Sequence, residues 1–160
     1  MSRTAVAVTN IVIAGWGGQG VLTASDIVAD VAFNAGFDVK KSEVHGMSQR
    51  GGSVASDVRY GSQVFSPMVP EGEAHFLVVI AADQASVNAA LLSKTGVVIE
   101  PSQLDEAKLR NKKSLNVALL GILSRHLDFS PEQWSAAIRR CLPENLHEAN
   151  LQAFALGRGA

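Results

Sequence analysis

Short apolar runs alternate with amphipathic stretches in the N-terminal part of the chain. The segment NIVIA (residues 10–14) is apolar and rich in β-branched residues, which predicts a buried first strand. Apolar residues then recur at helical spacing from Gln19 to Ala35, and Gly36 follows as a C-cap, so a helix is expected there. The next segment, FDVKKSE (37–43), predicts a second strand. The chain therefore opens with a strand, a glycine turn, a helix and a strand.

A different pattern follows the second strand. Residues 44–53 show neither a helical nor an alternating period, so they are expected to form a loop. The segment SVASDVRYGSQVFS (53–66) then alternates around Gly61 and Ser62, which predicts a β-hairpin with a two-residue turn. The two prolines and the glycine of PMVPEGEA (67–74) indicate a connection over the surface.

The rest of the chain predicts two more strands and several helices. In order, these are a strand at HFLVVIAA (75–82), a helix from Asp83 to Leu92, a strand at GVVIEP (96–101), a helix from about Ser114 to Leu127, a helix opening at Ser130 and Pro131, and a helix from Pro143 to near Gly157. We predict an α/β fold: a single three-layer α/β/α Rossmann-like domain over residues 1–160, whose mostly parallel sheet carries an inserted β-hairpin.

Composition and charge exclude several classes of protein. With 160 residues, 47% of them hydrophobic, and a formal net charge of -1, the chain has no strongly basic surface for nucleic acid. No apolar run approaches the ~20 residues that span a bilayer. The N-terminal segment MSRTAVAVTN lacks a signal-peptide core, so we expect a cytoplasmic protein.

The chain has a single cysteine, Cys141. It therefore supports no internal disulfide and no four-cysteine zinc or iron–sulfur site. Cys141 ends an amphipathic stretch, which favours an ordinary helix position over a catalytic thiol. His75, His126 and His147 are too scattered to suggest a metal site, and we predict neither a metal ligand nor a catalytic residue.

Four glycines lie within six positions of GWGGQGVLTAS (15–25). Gly15, Gly17 and Gly20 match the pattern G-x-G-x-x-G between a predicted strand and a predicted helix, as in dinucleotide-binding folds. Glycines let the backbone approach an anion closely, and a helix N-terminus offers unpaired N–H groups. The stretch thus suits an anion-binding turn.

The rest of the dinucleotide pattern is missing. Lys40 and Lys41 occupy the end of the second strand, where an acidic residue would hold a ribose, and lysines suit a phosphate better. Val21 and Leu22 stand where a P-loop has its lysine and hydroxyl residue. Three interpretations stay open at this point: a structural turn, a turn that contacts an anion or nucleotide, and an NAD site.

The loop EVHGMSQRGGS (43–53) concentrates polar residues between glycines. Arg50 can form two parallel hydrogen bonds to a phosphate or carboxylate, and Ser48 and Gln49 add hydrogen-bonding groups. A ligand or subunit contact and an ordinary surface loop are both compatible with this pattern. For His45 next to Glu43, a loop hydrogen bond is favoured over acid–base chemistry.

Together, GWGGQGVLTAS, KKSEVHGMSQRGGSV and FSPMVPEGEA resemble the gamma subunit of the 2-oxoacid:ferredoxin oxidoreductases. Within that family, the chain is most similar to the small (beta) subunit of indolepyruvate oxidoreductases. The resemblance covers nearly the whole chain and is strongest in its first half. Trp16 departs from the pattern because the family has a small or polar residue there, and SQLDEAKLRNKKS (102–114) is shorter than the family segment.

The resemblance implies one part of a larger enzyme. Such complexes decarboxylate a 2-oxoacid on thiamine diphosphate, transfer the acyl group to coenzyme A and pass electrons through iron–sulfur clusters to ferredoxin. Thiamine diphosphate, Mg and the clusters are then expected on partner subunits, and this chain is expected to be inactive alone and to bind no cofactor by itself, with a homodimer possible when isolated. No nucleic acid or membrane partner is implied.

The family's role in shaping the coenzyme A side of the complex gives the candidate binding residues. They are Gly15, Gly17, Gly18, Gln19 and Gly20 in the turn, Lys40 on the second strand, and Ser48, Gln49, Arg50, Gly51 and Gly52 in the second loop. Two alternatives remain: a stand-alone module that binds NADP or ADP, and an inactive scaffold paralogue.

Overall fold

The computed structural model describes residues 7–45 and 52–160. Its regular elements open with a strand, a helix and three successive strands, and they end in three helices. They are β1 (Thr9–Trp16), α1 (Val21–Asn34), β2 (Asp38–His45), β3 (Ser53–Gly61), β4 (Ala74–Val79), α2 (Gln84–Val87), β5 (Leu92–Ile99), α3 (Leu115–Ser124), α4 (Pro131–Cys141) and α5 (His147–Arg158). No helix in these ranges is long and apolar enough to cross a membrane.

The strands form one five-stranded sheet in the order β2-β3-β1-β4-β5. β1 pairs with β4 and β4 with β5 in parallel, whereas β3 runs antiparallel to both β1 and β2. Four strands therefore point one way and β3 alone points the other way. The predicted α/β fold with a mostly parallel sheet is confirmed.

The predicted hairpin turn at Gly61 and Ser62 is wrong. The antiparallel hairpin is formed by β2 and β3, so its connection is the loop after His45, and β3 ends at Gly61. Beyond Gly61, two backbone N–H groups donate to carboxylates of the sheet and not to a neighbouring strand. Val64 N donates to Asp38 Oδ2 at 2.8 Å, and Val69 N donates to Asp57 Oδ2 at 2.9 Å.

The pKa values of the two accepting carboxylates shift in opposite directions. The bond from Val64 lowers the pKa of exposed Asp38. Burial raises the pKa of Asp57 despite the bond from Val69, because removal from water disfavours the charged form. The segment after β3 is thus fixed to the sheet by side chains and needs no strand pairing.

The two faces of the sheet are covered unequally. Ile11 and Ile13 pack in the main core with α1, α3, α4 and α5, whereas Val12 and Ala14 belong to a smaller cluster on the other face. That second face is covered by α2, which has only four residues, and by the connection around Val69. Helices thus lie on both sides of the sheet, but one side carries most of the helical mass.

The helices predicted from the sequence are present, but their first and last residues differ from the expected ones. The expected cap at Ser130 is confirmed: its side chain accepts from Gln133 N at 3.2 Å, while Gln133 Oε1 accepts from Ser130 N at 2.8 Å. The helix expected from Asp83 to Leu92 is shorter, since α2 ends at Val87 and Leu92 already belongs to β5.

Helices α3 and α5 approach so closely that their contact requires glycine. A Cβ on Gly121 would lie 2.2 Å from the carbonyl oxygen of Phe154, and one on Gly157 would lie 1.7 Å from that of Ala118. Both obstacles are backbone atoms, which cannot rotate away as a side chain does. The contact places α3, and with it the functional cleft described below.

Gly157→Ala is expected to destabilise the chain by at least about 2 kcal/mol, because α5 must move off α3. Gly159→Ala is the matched control, since its nearest neighbour would be an ordinary 3.5 Å away. Chemical unfolding of both variants checks this. Equal stability of the two variants would contradict the close-approach argument.

Candidate functional site

The glycine turn after β1 is closed by Gln19. Gln19 N donates to the carbonyl oxygen of Trp16 at 3.1 Å, and Gln19 Oε1 accepts from Trp16 N at 2.7 Å. Gly15 makes room for this side chain, since a Cβ there would lie 2.9 Å from Gln19 Oε1. Gln19 therefore shapes the turn through its own hydrogen bonds.

The turn leads directly into α1 through Gly20. Gly20 has φ of 82°, a left-handed conformation that favours glycine, and it is the N-cap residue of α1. No side chain caps the helix. The first N–H groups of α1 are therefore left for solvent or a ligand, at the positive end of the helix dipole.

Asn116 of α3 is packed against Gly20. Its side chain is 6% exposed, and Asn116 Nδ2 donates to the carbonyl oxygen of Gly20 at 3.1 Å. Asn116 Oδ1 is buried without a hydrogen-bond partner among the described residues. Since a buried acceptor without a donor is costly, this atom marks a place for a ligand N–H or O–H.

These groups border a cavity of about 520 Å³, which we call the glycine-turn cleft. Lys112 and Lys113 line it in the 3-10 turn immediately before α3, and the side chain of Asn111 caps that turn. One uncapped helix N-terminus, that of α1, and two lysines thus border one cavity. The full lining is Gly18, Gln19, Gly20, Thr23, Ile80, Asn111, Lys112, Lys113, Ser114, Leu115, Asn116, Leu142, Leu146 and Asn150.

The structure brings together part of the sequence-predicted site. Gly18, Gln19 and Gly20 line the cleft. Gly17 N donates to the carbonyl oxygen of Gly52 at 2.8 Å, which joins the turn to the end of the second loop. The remaining loop candidates, Ser48, Gln49, Arg50 and Gly51, lie outside the described residues.

Lys40 is not brought to the glycine turn. Lys40 of β2 pairs with Arg59 of β3, and Arg59 in turn pairs with Asn10 near the start of β1. Lys40 is therefore level with the start of β1 and roughly 20 Å from the end of β1, where the glycine turn lies. Its neighbour Lys41 pairs with Asp26 of α1, and Lys40 on the alternate face pairs with Asp38. Among the described residues, Lys112 and Lys113 line the cleft beside the turn instead.

Sequence reasoning did not identify Lys112 and Lys113 as site residues. They belong to a single turn of 3-10 helix, Lys112–Ser114, in which Asn111 accepts from Lys113 N at 2.9 Å. The segment NKKSLN (111–116) could have indicated them, because it places two lysines directly before an apolar helical run. Its relevance depends on α3 lying beside the glycine turn, which no local pattern reveals.

Trp16 lies outside the cleft lining. Its side chain is 36% exposed, and its Nε1 donates to Asp83 Oδ1 at 3.1 Å. This bond uses the carboxylate that the sequence suggested as a helix cap, and α2 indeed has no side-chain cap. Trp16 therefore links the end of β1 to α2 on the sparsely covered face.

Comparisons with known proteins identify the family of the chain. The family described as "Pyruvate ferredoxin/flavodoxin oxidoreductase" matches residues 10–107. The chain is 36% identical to the indolepyruvate oxidoreductase subunit IorB of Thermococcus kodakarensis, in an alignment that covers 92% of this chain and 93% of the relative. It is 33% identical to the IorB subunit of Archaeoglobus fulgidus, and that alignment covers 92% of each chain. The chain therefore belongs to the pyruvate ferredoxin/flavodoxin oxidoreductase family, as the resemblance indicated.

Solved structures share the fold. The keto/oxoacid ferredoxin oxidoreductase gamma subunit of Geobacter sulfurreducens superposes with a TM-score of 0.77 at 22% identity, covering 94% of each chain. The 2-oxoglutarate:ferredoxin oxidoreductase of Magnetococcus marinus gives 0.79 at 16% identity, covering 98% of this chain and 31% of that one. The alignment with the Thermococcus relative has 188 positions against the 160 residues here, so that relative carries stretches this chain lacks.

Gly20→Ala and Gly18→Ala form a matched pair for testing the turn. Both residues have positive φ, so both variants are expected to lose about 1 kcal/mol. A Cβ on Gly20 would also lie 2.4 Å from Asn116 Nδ2, whereas one on Gly18 meets nothing within 4 Å. Chemical unfolding should therefore show a larger loss for Gly20→Ala, and equal losses would contradict the proposed packing of Asn116.

The structure also predicts an inert cysteine. Burial raises the pKa of Cys141 to about 11, and the nearby carboxylate of Asp30 acts in the same direction. Iodoacetamide at pH 8 should modify the folded chain about a hundredfold more slowly than free cysteine, because only the thiolate reacts. The rate should rise with pH and become ordinary in denaturant. Fast alkylation of the folded chain would contradict the shift.

Proposed function

We propose that this chain is a gamma-type subunit of a thiamine-diphosphate-dependent 2-oxoacid:ferredoxin oxidoreductase complex and that its glycine-turn cleft contacts coenzyme A. The relatives and structural neighbours named above are subunits of oxidoreductases that act on oxoacids. The Magnetococcus structure is described with 2-oxoglutarate, coenzyme A and succinyl-CoA bound. The observation that carries the proposal is the cleft itself.

The chemistry of the cleft suits a phosphorylated ligand with additional polar groups. The uncapped N-terminus of α1 and the positive charges of Lys112 and Lys113 favour phosphate oxygens. Asn116 Oδ1 requires a hydrogen-bond donor, which a phosphate ester without a proton does not offer. Coenzyme A carries both kinds of group, since its phosphates accompany hydroxyl, amide and amino donors.

In this proposal, the chain's residues bind and orient the acyl acceptor. The backbone of Gly18 and Gly20 allows close approach, the lysines neutralise charge, and Asn116 selects a donor at a fixed position. The decarboxylation, with thiamine diphosphate, Mg and the iron–sulfur clusters, is assigned to partner subunits. The single cysteine of the chain agrees with that division, because a cluster needs several ligands.

The proposal includes a subunit interface on the sparsely covered face of the sheet. Val44 and Val87 are 54% and 65% exposed and line one shallow groove between β2 and α2. Trp16 lies at the end of the central strand β1 and is tied to Asp83 just before α2. Large exposed apolar side chains on one surface are typical of protein contacts. These residues border the same edge of the sheet as the glycine turn.

The double substitution Lys112→Gln and Lys113→Gln tests the coenzyme A contact in the purified complex. We expect the KM for coenzyme A to rise about tenfold, with little change in the KM for the oxoacid, because two phosphate contacts lose their charge. Lys94→Gln, an exposed lysine on β5 away from the cleft, is the charge control. An unchanged KM for coenzyme A with assembly intact would contradict the contact.

Isolation of the native complex tests the subunit assignment separately. A tagged copy of the chain should copurify with a thiamine-binding subunit and an iron–sulfur subunit. Recovery of the chain alone, together with tight binding of NADP or ADP by calorimetry, would favour a stand-alone nucleotide-binding module. Recovery in a complex whose turnover ignores the lysine substitutions would favour a scaffold role.

A further inference from the structure

A second cavity lies at the opposite end of the sheet from the glycine turn. It encloses about 510 Å³ and is lined by residues from the start of β1 and β4, the end of β3, strand β5 and the segment after α3. We call it the aromatic cleft and define it by its rings: Phe37, Tyr60, Phe76, His126 and Phe129. Its volume is within the range of small-molecule sites.

The rings form two packed groups around the cavity. Phe37 lies 5.3 Å from Tyr60 and 6.1 Å from Phe129 between ring centroids, and Tyr60 lies 5.6 Å from Phe129. Phe76 packs on His126 at 5.5 Å. Tyr60 and Phe129 are buried, whereas Phe37 and Phe76 are only half-buried and leave part of their apolar surface at the cavity. A well-packed core edge would not leave this apolar surface facing water.

Polar groups at the rim are few and have defined roles. His75 Nδ1 accepts from Asn10 N at 2.9 Å, so the neutral ring carries its proton on Nε2. Asp128 supplies the one carboxylate among the described residues that line the cavity. Burial raises the pKa of Tyr60, and the charge of Asp128 adds to this effect, which places the carboxylate near the ring cluster.

Aromatic faces and a carboxylate both attract organic cations. Ring faces carry negative electrostatic potential and bind ammonium groups, and Asp128 adds an opposite charge. An aromatic anion would gain the same ring contacts but would meet the carboxylate unfavourably. An aliphatic amine would gain the charge contact but would not fill the space between the two ring groups.

We propose that the aromatic cleft binds a small aromatic ammonium compound, with its ring between the Phe37 and Phe76 groups and its ammonium group at Asp128. This site is distinct from the glycine-turn cleft, and the inference stands whether or not the proposed coenzyme A contact is correct. The ligand is defined by its chemistry: one aromatic ring, a short linker and a positive charge.

Calorimetry on the full chain with 2-phenylethylamine tests the proposal. We expect saturable binding of one molecule per chain, with phenylacetate and n-butylamine each at least about tenfold weaker, since each lacks one of the two attractions. Asp128→Asn should weaken 2-phenylethylamine binding about fivefold, the effect of losing an exposed ion pair. Glu71→Gln removes an exposed carboxylate outside the cleft and should have no effect.

A blocking variant locates the site independently. Thr95 is an exposed residue of β5 in the cleft lining, so Thr95→Trp should fill the cavity without cutting into the core and abolish binding. Unfolding curves would verify that both cleft variants fold. Equal affinity for all three compounds, no detectable binding, or binding that survives both Asp128→Asn and Thr95→Trp would overturn the proposal.

Discussion

The hydrogen bond from Asn116 to the carbonyl oxygen of Gly20 connects the main parts of this fold. Gly20 ends the glycine turn in a left-handed conformation and starts α1, while Asn116 belongs to α3, which is distant in sequence. The bond forms only because Gly20 has no Cβ, which would occupy the place of the amide. It fixes two helix N-termini beside each other at the carboxyl end of β1. The glycine-turn cleft is the space that this arrangement leaves, and Asn116, whose buried Oδ1 has no hydrogen-bond partner among the described residues, is part of its lining.

The antiparallel insertion of β3 gives the site its second component. Because β3 runs between β1 and β2 in the opposite direction, its start lies beside the end of β1. Gly52 therefore meets Gly17, and their backbone hydrogen bond joins the glycine turn to the β2–β3 connection. A purely parallel sheet would require a long crossover between these strands and would not bring the two loops together. The two distinctive motifs, which are close in sequence, therefore also lie next to each other in the fold.

The sequence predicted those features whose cause is local. NIVIA became the central strand because β-branched residues suit a strand buried on both faces, and Ser130 with Gln133 formed a capping box from short-range bonds.

Predictions failed where contacts between distant parts of the chain determine the structure. The chain beyond Gly61 forms no second strand, and its Val64 and Val69 N–H groups donate to Asp38 and Asp57 of the sheet. Lys40 was expected at the end of the second strand, but β2 continues to His45 and its register places Lys40 level with the start of β1. Lys112 and Lys113 gain their significance only from the packing of α3 on α5, which depends on Gly121 and Gly157.

The two ends of the sheet therefore offer opposite chemistry to ligands. At the carboxyl end of β1, the uncapped N-terminus of α1 and two lysines border a cleft that suits anions. At the other end, aromatic rings and Asp128 create a region that suits cations. The separation follows from the fold, since helices that return over one face of a parallel arrangement place their N-termini at the carboxyl ends of the strands. The long central strand β1 separates the two clefts, because its start lies at one of them and its end at the other.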